Sequence, residues 1–174
     1  MKPRLFCVAV ICGLATSLHA ENLSKHLITK TSPDATVVFV KPCKMKKAAG
    51  TAKADDMEYD VTLSTLTDSV YITATVRTPL PINLDSVTIA QGDKSAAYPV
   101  EKLYVEPDGK KWTSRVRVTL PRADFDTMAH GSTAPLIKWG ADTATVAYRH
   151  ADKEWDTRRN VFYLSEEILR QNAR

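Results

Sequence analysis

A mainly β fold is what this sequence predicts: a single antiparallel β-sandwich or barrel-like domain with a short C-terminal helix. Three features lead there. Two stretches alternate apolar and polar residues strictly around a short polar turn. About eight β-prone segments follow one another, punctuated by Pro, Gly, Asn and Asp. Helical signal is confined to short pieces, with no strand–helix–strand alternation that would build a parallel sheet.

The alternating pair is the firmest element. Tyr59, Val61, Leu63 and Thr65 alternate with Asp60, Thr62 and Ser64. After the turn residues Thr67, Asp68 and Ser69, a second run sets Val70, Ile72, Ala74 and Val76 against Tyr71, Thr73, Thr75 and Arg77. A period of two gives each strand one buried and one wet face, and the short polar link makes the pair an antiparallel hairpin. Pro79 and Pro81 end it, because proline cannot donate to a ladder.

Shorter signals fill in the rest. Thr36 to Val40 is a β-branched and aromatic run. Ser86 to Ala90 and Ala96 to Val100 flank a turn at residues 91–94, with Pro99 confining the second to an edge. Leu103 and Val105 precede the turn at Pro107-Asp108-Gly109. Trp112, Ser114, Val116, Val118 and Leu120 then share one face, with Arg115 and Arg117 on the other. Ala123 to Ala129 reads as a short helix ending near Gly131. Leu136 to Trp139 and Thr143 to Tyr148 read as two more strands. The charged stretch 150–160 reads as a solvated loop, and Ser165 as the cap of a final helix. Residues 21–34 read as a loose polar leader. The Lys- and Ala-rich stretch 41–56 reads as a mobile loop with too little apolar surface to offset its ordering entropy. Residues 35–174 then form the single domain.

The first twenty residues point to export. Lys2 and Arg4 precede the uncharged apolar run Leu5 to Leu18, and Ala20 offers a small residue before a cut. That order is the signature of a cleavable signal peptide, and the run falls short of the roughly 20 residues that span a bilayer. Cleavage places the chain in the periplasm or outside the cell. It removes two bases and no acid, so Lys plus Arg falls from 24 to 22 against 20 Asp plus Glu. The resulting net charge of +2 gives no electrostatic ground for a nucleic-acid partner.

Of three cysteines, Cys7 and Cys12 lie in the leader and only Cys43 lies beyond it. One thiol cannot close an internal bridge, so packing must hold the fold. The lysines at 41, 44, 46 and 47 would lower the thiol pKa, which makes Cys43 a candidate reactive thiol or a disulfide link between two copies.

Chemistry-bearing motifs are sparse. No G-x-S-x-G is present, and His130-Gly131-Ser132 is adjacency in sequence without triad geometry. His150, Asp152 and Glu154 fall at every second position and could offer nitrogen and oxygen ligands from one face of a strand. No cofactor is implied by any motif. The polar face carrying Tyr71, Thr73, Arg77, Arg115 and Arg117 has the residue types enriched where proteins meet partners. The expectation is therefore an exported, non-enzymatic β domain that binds a protein or glycan. The alternative is a small metal-dependent or hydrolytic enzyme built on the acidic segment around His150.

Overall fold

The computed structural model describes residues 23–48, 54–55, 57–140 and 145–173. The leader expected at residues 1–20 lies outside them. Nine strands run as β1 Leu27–Thr31, β2 Thr36–Lys47, β3 Met57–Ser64, β4 Ser69–Thr78, β5 Ser86–Gln91, β6 Lys94–Asp108, β7 Lys111–Pro121, β8 Leu136–Trp139 and β9 Val146–Arg149. Helices α1 Arg122–His130 and α2 Asp152–Asn172 accompany them among the described residues.

All strand pairs are antiparallel, in the order β1-β2-β3-β4-β7-β6-β5-β8-β9. The end of β2 also pairs with β9, through Lys46↔Arg149 and Lys47↔Tyr148. That contact closes eight strands into a barrel and leaves β1 as an extra strand outside the ring. Closure removes the sheet edges that an open sandwich would expose.

Two long strands make the curvature. β6 runs for 15 residues and changes partner midway: residues 94–99 pair with β5 and residues 100–108 with β7. Pro99 sits at the end of the first half, where a missing N–H leaves no gap in the β7 ladder. β2 has a register break between Val40 and Cys43. A bulge of this kind bends a strand and increases its twist. It also shifts the side-chain phase, so Val38 and Val40 point inward before it and Cys43 and Met45 after it.

The β3–β4 hairpin matches its sequence pattern, with Val61 opposite Ile72 and Asp60 opposite Thr73. Gly92 and Gly109 take φ of 58° and 62° in the β5–β6 and β6–β7 turns, which a side chain would resist. Val61, Leu63, Ile72, Val76, Val116, Val118 and Leu120 are buried together. An eight-stranded barrel is just wide enough for side chains to fill or for one small ligand, and these side chains lie in its core. Trp139 is fully enclosed and donates its indole N–H to Met57 Sδ at 3.1 Å.

Three sequence expectations are corrected. The leader at 21–34 contains β1, which holds to β2 from Leu27↔Val40 to Thr31↔Thr36. The stretch 41–56 is not a loop as far as Lys47. The bulge breaks the parity of its inward residues, which hides the strand from a period-two reading. The charged segment after His150 is the start of α2, a helix of 21 residues rather than a short one capped by Ser165. Trp155, Phe162 and Leu169, spaced by seven, form its buried stripe, while the charges occupy its other sides. Phe125 of α1 meets Phe162 edge-on at 5.1 Å, and Trp155 donates to the Gly131 carbonyl at 3.0 Å, so the two helices lock together.

Candidate binding face

The register brings the five nominated partner-binding residues onto one outer face. Tyr71, Thr73, Thr75 and Arg77 alternate along β4, and Arg117 and Arg115 lie opposite Thr73 and Thr75 on β7. The rows continue on both sides. One runs Phe39, Thr62, Tyr71, Thr119; the next Asp60, Thr73, Arg117, Glu101; the third Lys44, Glu58, Thr75, Arg115, Tyr104. Sequence alone left open whether the two strands' polar residues shared a face, because only the pairing register decides it.

Within this face the arginines are held in place. Arg115 donates to Asp60 Oδ2 at 2.9 Å and to Thr75 Oγ1 at 2.8 Å. Arg117 lies 3.5 Å from Glu101 Oε2, with its guanidinium carbon 5.8 Å from the centre of the Tyr71 ring. Arg77 is 3.8 Å from Asp108. The arginine side chains keep 34%, 40% and 37% of their surface exposed at positions 115, 117 and 77. Tyr71 is half-buried and Tyr104 exposed.

Thr73 departs from expectation. It is only 7% exposed, covered by its larger neighbours, and offers a partner almost no surface. Its hydroxyl hydrogen-bonds Asp60, the residue sequence reading missed. Asp60 is itself buried beneath Arg115. Burial pushes its carboxyl above the usual range, and the Arg115 guanidinium works against that shift. Arg115 reaches Asp60 from β7, across the intervening strand β4, so no signal in the sequence marked the pair.

The metal-ligand candidates are not gathered. His150 is 3% exposed and turned inward, its Nε2 2.8 Å from the Tyr59 hydroxyl. Asp152 and Glu154 lie on the exposed surface of α2, and Glu154 Oε2 is 3.8 Å from His150 Nδ1. The expected strand is a helix, so alternate residues no longer share a face. Among the described residues no group of three His, Cys, Asp or Glu side chains is placed to hold a metal ion. Burial lowers the His150 pKa to about 4, with the charge of Arg158 acting in the same direction.

Cys43 is likewise buried, and its thiol contacts the Tyr59 hydroxyl. The expected lowering of its pKa is reversed. Desolvation raises it, and this outweighs the positive charge of Arg158, while the neighbouring lysines point to solvent. Cys43 should therefore react with a thiol-specific disulfide reagent far more slowly in the folded protein than after denaturation. Equal rates in the two states would show that the thiol is accessible.

Among the described residues the concavities elsewhere differ in size and lining, and one of about 500 Å³ lies beside Leu136, Arg149 and His150. A recess of about 130 Å³ between the β5–β6 hairpin and α1 has Ile89, Leu120 and Met128 among its lining residues. It is well below the size of ordinary ligand pockets. A polar recess of about 630 Å³ at the β1–β2 turn has Asp34 as the one charged residue in its lining. Among the described residues, no helix is long and apolar enough to cross a membrane. Comparison with protein-family models, with curated proteins and with solved structures finds no match to this chain.

Proposed function

We propose that this chain is an exported, non-catalytic binding domain that docks a protein or glycan partner on the outer face of β3, β4, β7 and β6. The observation that carries the reading is the pre-ordering of Arg115 and Arg117. Asp60 and Thr75 hydrogen-bond the Arg115 guanidinium, and Glu101 and the Tyr71 ring flank that of Arg117, yet each keeps a third or more of its side-chain surface open. A guanidinium carries five N–H donors, so donors remain for a ligand after these bonds are made. Side chains already immobilised lose little entropy on binding. Tyr and Arg are also the residue types that dominate interface energetics.

Export rests on the leader. N-terminal sequencing of protein recovered from outside the cytoplasm should begin at Glu21; a retained Met1 would overturn that part of the reading. Binding is tested with an oligosaccharide array and with soluble proteins of the same compartment, using the wild type and Tyr71→Ala plus Arg117→Ala. Loss of an interface anchor costs about 2 kcal/mol or more. The double variant should keep its circular dichroism spectrum and lose the interaction. Undiminished binding by the variant would remove this face, and turnover abolished by His150→Ala would replace binding with catalysis.

A further inference from the structure

The extra strand β1 carries a feature that the face does not use. Among the described residues it pairs with β2 and with no other strand, so its second edge is open. Two bonds fix which backbone groups lie on that edge. Lys41 N–H donates to the His26 carbonyl at 2.8 Å, and Ser32 N–H donates to the Ala35 carbonyl at 2.7 Å. Hydrogen-bonded and open positions alternate in an antiparallel ladder. Ile28 and Lys30 therefore turn their amides to β2, while Leu27, Thr29 and Thr31 turn theirs away.

Charge is concentrated on the same ribbon. Residues 23–48 hold six lysines and one acid, Asp34, a net of +5, whereas the chain beyond residue 20 nets +2. The rest of the molecule is thus net negative. Lys30 and Lys41 are exposed and share the outward side of the ribbon with exposed Ile28 and half-buried Phe39.

We infer that the open edge of β1 receives an extended, acidic segment of a partner protein as an added strand. Open N–H and C=O groups are satisfied by another backbone, and alternate side chains supply the selectivity. Acidic residues would lie beside the lysines, and apolar ones beside Ile28. A second copy of this chain fits poorly, because the lysines beside β1 (Lys25, Lys30 and Lys41) outnumber the one acid there, Asp34, and would meet their like. This interaction goes beyond the Tyr71–Arg117 face and does not depend on it.

The probe is a synthetic octapeptide alternating Glu and Val, titrated into the mature protein and followed by amide NMR and hydrogen exchange. The expected result is slowed exchange at the Thr29 and Thr31 amides, binding that weakens as salt is raised, and a several-fold loss in Lys30→Glu. Thr29→Pro removes an outward donor and should abolish binding. A Glu–Val peptide N-methylated at every residue, which has no N–H to offer from either edge, should fail against the unaltered protein and so tests the edge even if Thr29→Pro misfolds. Equal binding of a Lys–Val peptide, equal binding of the N-methylated peptide, or no change at Thr29 and Thr31 would overturn the inference. Binding of an oligonucleotide or of anionic phosphatidylglycerol vesicles that persists in Thr29→Pro, with no peptide binding, would also overturn it in favour of a partner held by charge alone.

Discussion

Ile72→Ala should lower the free energy of unfolding by about 2–5 kcal/mol. Ile72 is 4% exposed at the centre of the barrel, between Val61 of β3 and Val118 of β7. Truncation removes buried methyl and methylene groups and leaves a void that strands tied on both sides cannot close. The adjacent Thr73→Ala is the informative comparison. An ordinary surface Thr would cost no more than about 0.5 kcal/mol. Here the hydroxyl is buried against Asp60, so the expected loss is about 1 kcal/mol. Urea denaturation of both variants measures the difference. Equal losses would mean that the outer layer is packed as tightly as the interior.

Acid should destabilise the fold through His150, by up to about 3 kcal/mol. Its pKa is lowered from the ordinary 6.5 to about 4, by desolvation first and by Arg158 second. The folded state therefore favours neutral imidazole. The contribution is fully present above pH 6.5 and is lost as the pH falls from there through about 4. The Tyr59 hydroxyl lies 2.8 Å from Nε2, and a doubly protonated ring could no longer accept a hydrogen bond there. His150→Gln keeps a polar group at the site and removes the titration. Its stability should change less than that of the wild type between pH 7 and pH 4. Glu166 and His26 also titrate, raised and lowered respectively by burial, but they are common to both proteins and cancel in the comparison. An identical acid response in the two proteins would show that His150 is not the sensitive group.

Local alternation determined much of this molecule. The β3–β4 hairpin, the inward set from Val61 to Leu120, the Gly turns and the short helix before Gly131 all follow from side-chain period and turn chemistry, which act between near neighbours in the chain. Tyr71, Arg77, Arg115 and Arg117 were legible as an outward set for the same reason. Their union on one face was not, because it depends on β4 pairing directly with β7 across 33 or more intervening residues. Asp60 illustrates the gap: its sequence position reads as an exposed acid, and only the arrival of Arg115 from a distant strand buries it. Barrel closure was decided at the same level. Lys46 and Lys47 look like solvated loop residues until β9 supplies their backbone partners. The thiol of Cys43 follows suit, since its environment is set by Tyr59 and by helix α2 rather than by the lysines beside it. Sequence patterning specifies which side of a strand is apolar; the register between distant strands specifies which polar groups meet, and burial of the matched apolar sides, with the turn geometry, is what selects that register.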